Sequence, residues 1–260
     1  MLPISKIYID SRFKSSDSVS DSNLIIDLPM TVTLPEDTVF YVDDVCIPVS
    51  WYVVDEARNN KFYFSINATP YMRIIPAGNY STTTLNAKLV DIMNAVMSTV
   101  FTATANLPTN TIGISCFGSN VFKILTDSEA QNADFSLPLQ SINSYLHNSI
   151  PKENTASSPY ASGYVNLNPV RNIYITSPNL GGFNTLCVSG ERGIIKKVPV
   201  RANYNEMIYD DAVLGIDYLD CSRQSLSRIE LQLKDLYGNF INLHGNHWSC
   251  SLVFTKMKHD

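Results

Sequence analysis

Apolar and polar residues alternate along most of this chain. A period of two marks a β-strand with one buried and one wet face. The pattern is clearest between Leu226 and Phe254. There Ile229, Leu231 and Leu233 alternate with Arg228, Glu230, Gln232 and Lys234. Asp235-Leu-Tyr-Gly-Asn239 follows, and its Gly-Asn supplies the positive φ of a tight hairpin. Ile241 and Leu243 return on a second strand. Gly245-Asn246 turns the chain again, and Trp248, Cys250, Leu252 and Phe254 line one face of a last strand. The segment reads as a three-stranded meander that completes a sheet.

The same reading applies to the rest of the chain. Ile4–Ile9 is an edge-like strand, and the polar run Ser11–Ser22 is an exposed loop. Asn23–Leu28 is a strand that Pro29 should end, because proline cannot donate to a ladder. Thr38–Ile47 is apolar on both faces, with Val39, Tyr41 and Val45 on one and Phe40, Val42 and Cys46 on the other. It predicts a central strand, stopped by Pro48. Lys61–Ile66 turns Phe62, Phe64 and Ile66 inward. Then the period changes. Leu85, Leu89, Ile92, Met93, Val96 and Val100 recur at three- and four-residue steps, one face of a helix of about five turns. Ser81 or a neighbouring threonine is its N-cap. The polar face is Thr, Asn and Asp with one Lys, which suits packing on a sheet better than lying on a membrane.

Thr111–Phe117 and Val121–Leu125 read as a hairpin around Gly118-Ser119. Leu139, Ile142 and Leu146 suggest a short helix. Pro151–Gly163, PKENTASSPYASG, is a long surface loop of the kind that carries partner contacts. Asn172–Thr176, Phe183–Val188, Ile194–Val200 and Ala212–Leu219 are strands, and Tyr204–Asp211 is a loop. The sum is all-β, an antiparallel sandwich with long crossings and one amphipathic helix in an inter-strand connection. No internal repeat or shift in composition divides the chain, so residues 1–260 are read as a single domain.

Composition narrows the function classes. The chain has 260 residues, 45% hydrophobic and 17% charged, with net charge −5. It can bury a full core. A sparse, mildly acidic charge disfavours direct binding to nucleic acid. No apolar run reaches the ~18 residues of a membrane span, and the first residues lack a signal peptide's layout. Membrane insertion is not expected, and synthesis in the cytosol is. Five scattered cysteines (Cys46, Cys116, Cys187, Cys221, Cys250) without CxxC read as small buried hydrophobes.

Candidate chemistry is thin. His244 and His247 are a close pair with Cys250 three residues on, but a turn between them splays the rings and Cys250 faces the core. A zinc site needs three or four converging ligands. Asp43-Asp44 and Asp210-Asp211 are adjacent, and strand neighbours point to opposite faces, so neither pair can share a proton. Each is read as solvated or capping. Gly190-Glu-Arg-Gly193 is a strand turn. GxSxG, P-loop, GxGxxG and HExxH are all absent. The expectation is no catalytic, cofactor-binding or metal residue, no cofactor and no enzyme activity.

Several segments occur together in a recognisable order: IYIDSRFKSSDSVSDSNLIIDLP, PAGNYSTTTLNAKLVDIMN, NIYITSPNL, RGIIKKVPV and the ending IELQLKDLYGNFINLHGNHWSCSLVF. Together they resemble the penton, or minor capsid, proteins of polinton-, adintovirus- and virophage-like double-stranded DNA viruses. The ending is the most specific part. Pro151–Gly163 is least matched, and Leu146-His147-Asn148 departs from the expected Leu-Gly-Phe. The resemblance implies a single jelly roll, a homopentamer at icosahedral vertices, and a double-jelly-roll major capsid protein as neighbour. A fibre or receptor at the outer loops, and residence in the virion at the capsid vertex, belong to the same expectation. Rival readings are a trimeric jelly-roll major capsid or spike-base protein and a carbohydrate-binding β-sandwich that uses exposed tyrosines. A major capsid protein needs two jelly rolls, more than 260 residues readily hold.

Overall fold

The fold is that of a computed structural model, which describes residues 5–98, 100–106, 108–133, 135, 141–146, 153–180, 193–211 and 218–256, with backbone alone at 105 and 106. The expected strand Phe183–Val188, Cys187, Leu139, Gly190-Glu-Arg and most of Ala212–Leu219 lie outside the described residues. Three strands open the chain: β1 (Ser5–Asp10), β2 (Asn23–Thr33) and β3 (Thr38–Pro48). Then come β4 (Lys61–Ile66), β5 (Thr69–Ile74), helix α1 (Thr82–Val96), β6 (Phe101–Asn106), β7 (Thr111–Cys116), β8 (Phe122–Ile124), helix α2 (Asp127–Asn132) and β9 (Tyr160–Ala161). The last set is β10 (Asn172–Thr176), β11 (Ile194–Pro199), β12 (Met207–Asp210), β13 (Leu219–Asp220), β14 (Ser225–Lys234) and β15 (Ser249–Lys256). The chain divides into two compact units, Met1–Trp51 with Val170–Asp260, and Tyr52–Pro169.

The first unit holds two antiparallel sheets, β1-β15-β3-β12 with β13 also on β3, and β11-β10-β14-β2. Setting the two-residue β13 aside and counting the unit's other strands from one to eight in chain order, the sheets read 1-8-3-6 and 2-7-4-5. That is the order of a jelly roll, two Greek keys wrapped face to face. Phe40, Ile47, Trp51, Ile173, Leu231, Leu233, Trp248, Leu252 and Phe254 fill the space between the sheets. β3 has strand neighbours on both sides, so it is central, as its two apolar faces require.

Four sequence expectations change here. The terminal meander is not one. The turn at Asp235 forms, with Gly238 at φ +82 and the Asp235 carboxylate accepting from the amides of Tyr237 and Asn239. Beyond the single bridge Lys234–Phe240 the ladder stops, and β14 and β15 belong to opposite sheets. Ile241 and Leu243 are buried without a strand of their own, because the connection crosses the end of the sandwich. Alternation reports which side chains are buried and says nothing of which strand lies alongside.

Pro29 does not end β2. This strand is the sheet's edge, and its register slips beside the proline: Asp27 faces Arg228 and Val32 faces Leu226, leaving residues 28–31 opposite Ser227. An edge and a bulge are where a proline costs no ladder bond. In β3 the register shifts where Val42 faces Leu252 and Asp44 faces Ser251, so Asp43 is an inserted residue. The insertion flips the phase. Phe40 and Val42 are inward before it and Val45 and Ile47 after it, in place of Cys46. Tyr204–Asp211, expected as loop, contains β12, an edge strand paired to β3.

The second unit lies in sequence between the third and fourth jelly-roll strands. It has two small sheets, β5-β4-β8 and β6-β7-β9, and helix α1. Its core includes Phe62, Phe64, Leu85, Leu89, Met93, Ile114 and Phe122. Ser81 caps α1 through the Thr84 amide, and the Thr84 hydroxyl answers the Ser81 amide. The helix stops at Val96, short of Val100. Asn94 then accepts from the amides of Val100 and Phe101 and turns the chain into β6. β6 was hidden by small polar residues. It, not β8, is the hairpin partner of β7, while β8 pairs with β4. The stretch expected as a loop at 151–163 is pinned where described: Asn154 bridges Phe122, and β9 adds to β7.

Candidate functional site

The alternation that buries Phe40 and Val42 turns Tyr41 and Asp43 outward, on the outer face of the β1-β15-β3-β12 sheet. Tyr8 on β1 and Tyr209 on β12 stand 76% and 77% exposed on the same face. Tyr41 meets Tyr218 edge-on, with ring centroids 5.0 Å apart. The same face carries a charged cluster. Lys6 Nζ is 2.5 Å from Asp43 Oδ2 and 3.3 Å from Asp44 Oδ2, and 5.1 Å from the centre of the Tyr8 ring. The bulge explains how adjacent aspartates reach one ammonium; a regular strand would have sent them to opposite faces. Asp43's hydrogen bond is the main cause of a raised Lys6 pKa, against the pull of burial. Both carboxylates thus lie on one ammonium and form an ion cluster.

On the outer face of the other sheet one row differs in sign, although Glu230, Asp27 and Asp17 lie nearer β2. Tyr174 lies between Lys197 on β11 and Lys234 on β14, all in one cross-strand row. Lys234 Nζ sits 5.4 Å from the Phe240 ring centre. Towards the β2 edge Arg228 bonds Asp27 at 2.8 Å and Asp17 at 3.0 Å, which fastens the 11–22 loop to the sheet.

At one end of the jelly roll the connections are stitched together. Ser50 Oγ donates to the Leu243 carbonyl at 2.8 Å, and His244 Nδ1 donates to the Ser50 carbonyl at 2.8 Å. Val49 exchanges backbone bonds with Asn205 and Glu206. Trp248 Nε1 donates to the Asp21 carbonyl at 2.6 Å, and Ser22 Oγ donates to the Ile241 carbonyl. The two histidines are therefore spent separately: His244 on Ser50, His247 3.1 Å from Ser11 Oγ and 3.5 Å from Asp21 Oδ1. Cys250 lies in the core, where burial drives its thiol far up; Cys221 is pushed up to about 12 by burial as well. Among the described residues no three of His, Cys, Asp or Glu come together as metal ligands, and no helix is long and apolar enough to cross a membrane.

The expectation of a solvated or capping carboxylate fails at Asp210. Instead it turns into the sandwich and pairs with Lys196 at 3.5 Å. The sequence did carry a signal for this: two adjacent lysines on an alternating strand cannot both face water, and Lys197 takes the exposed side.

No known family model matches the chain, and no curated protein matches it in sequence. Solved structures do match in shape. The crystal structure of the selenomethionine-labelled mavirus penton protein superposes with a TM-score of 0.54, covering 97% of this chain and 100% of that one, at 11% identity. The fold is that of a viral penton protein. The likeness runs through both compact units, and the penton resemblance of the sequence segments is thus matched by shape along nearly the whole chain. At this identity the penton fold transfers topology and no individual side-chain role.

Proposed function

We propose that this chain is a structural, non-enzymatic capsid protein of an icosahedral double-stranded DNA virus or virus-like transposon. Five copies form a ring that plugs a five-fold vertex. Each ring is flanked by a double-jelly-roll major capsid protein, and the protomer, residues 1–260, acts as one capsid domain. It is made in the host cytosol and resides in the virion, and its outer loops are the place for a fibre or receptor. The observation that carries the reading is the jelly-roll strand order combined with a shape match that leaves almost none of either chain over. A contact that joins unlike patches head to tail generates a ring when its rotation closes. The ion cluster, the stitched loops and the buried thiols suit a rigid tile.

Light scattering at rising concentration tests this. A pentamer, or a monomer that becomes pentameric when assembled with the major capsid protein, is the expected result. A stable dimer or trimer at every concentration overturns it.

A further inference from the structure

On the two outer faces of the jelly roll one aromatic cluster of each kind is set among charges of opposite sign, the basic one confined to the row across β11, β10 and β14. On the β1-β15-β3-β12 side, Asp43 and Asp44 share Lys6, with exposed Tyr8 and Tyr209 about them. On the β11-β10-β14-β2 side, Lys197 and Lys234 flank Tyr174. These faces belong to opposite walls of one sandwich, so one molecule cannot bring them together, but two copies can. We propose that the acidic face of one copy of this chain docks on the basic face of the next. This rests on the vertex reading above and deepens it, because it names the two surfaces of the ring contact. The contact joins unlike patches, so each copy offers one face of each kind to its two neighbours, as a closed ring of identical subunits demands. Aromatic rings supply contact area, and the opposed charges set orientation and suppress like-on-like pairing.

Charge swapping tests it. Lys197→Glu with Lys234→Glu makes both faces acidic, and Asp43→Lys with Asp44→Lys makes both basic. Each double variant should weaken assembly at least about tenfold in mass photometry of the chain, alone or with its major capsid protein, since like charges then face each other. All four changes in one chain should restore assembly to within about threefold of the original. Because Asp43 and Asp44 hold Lys6, Tyr8→Lys with Tyr209→Lys serves as a second way to make that face basic, at side chains that are mostly in water. Thermal melts check that every variant is folded. Pentamers that tolerate both single-face swaps overturn this contact and leave the vertex reading standing. An unaltered chain that never becomes pentameric overturns both.

Discussion

Lys196 and Asp210 hold the two sheets of the jelly roll together from within. The lysine is on β11 of one sheet and the aspartate on β12 of the other, their charged atoms 3.5 Å apart and their side chains only 11% and 13% exposed. Lys196 Nζ also donates to the Val42 carbonyl at 3.2 Å, beside the inserted Asp43 where the β3–β15 register shifts. One ammonium thus joins three strands. Removing half of a buried pair strands the other charge, at about 3–5 kcal/mol, whereas replacing both halves with apolar groups is often near neutral. Lys196→Met should lower stability by about 3 kcal/mol in denaturant unfolding. Lys196→Met with Asp210→Leu should recover most of that loss. A double-variant loss equal to the sum of the Lys196→Met and Asp210→Leu losses would show that the pair is not coupled.

Gly193 and Gly245 share a left-handed backbone, φ +74 and +77, in different surroundings. A Cβ on Gly193 would lie 2.6 Å from the Ser177 carbonyl oxygen, while one on Gly245 meets nothing within 4 Å. Alanine at either pays roughly 1–2 kcal/mol for the left-handed conformation. At Gly193 a backbone collision adds about 1–3 kcal/mol, and it strikes the bond from the Ser177 amide to the Gly193 carbonyl. Gly193→Ala should therefore cost about twice what Gly245→Ala does in urea unfolding, or more. Similar costs would mean that the steric contact is relieved by a shift in the turn.

Asn143, buried in the second unit, stands in for a strand neighbour. Its Oδ1 accepts from the Tyr63 amide at 3.1 Å, and its Nδ2 donates to the carbonyls of Tyr63 at 2.6 Å and Leu125 at 2.7 Å. Each buried backbone group left without a partner costs about 1–3 kcal/mol. Asn143→Ala orphans the Tyr63 amide and the Leu125 carbonyl, while the Tyr63 carbonyl keeps its bond from the Leu125 amide, so a loss of about 2 kcal/mol or more is expected. Amide hydrogen exchange locates the effect: the Tyr63 amide should lose protection first. If it stays protected, another group has taken the place of Asn143.

Much of this architecture was legible because burial imposes a period. β4 has the limits its alternation predicts, Ser81 caps α1, and the doubly apolar β3 is central. What alternation cannot encode is partnership. Leu233 and Leu252 follow the same pattern, yet they enter the core from opposite sheets. Inserted residues are equally silent: Asp43 looks like any outward strand residue until the neighbouring ladder skips it. β6 carries Thr and Ala where a strand is recognised by larger side chains, and Asn143 and Asn179 replace backbone partners with side-chain amides. The candidate surface was half visible. Asp43, Asp44 and the tyrosines stood out as residue types, but bringing both aspartates to Lys6 depends on the bulge and on the pairing of the first strand with the last.

Acid should expose the weight of the first connection. Asp10 caps the short 3-10 turn at Ser11–Phe13 by accepting from the Arg12 amide, and it grips the Arg12 guanidinium at 2.5 Å. The guanidinium hydrogen bond is the chief reason its carboxyl stays below the usual range, despite some burial. A carboxylate whose pKa is depressed in the folded state stabilises that state above its unfolded pKa, about 3.9. That contribution drains away as pH falls through the lower folded value. Asp10→Asn removes the ionisable group, so the gap in Tm between the original chain and the variant should be constant from about pH 5 to 7 and shrink below about pH 4. Thermal melts across that range measure it. A gap that is unchanged down to pH 2 would assign the loss to the altered cap alone and not to the charge.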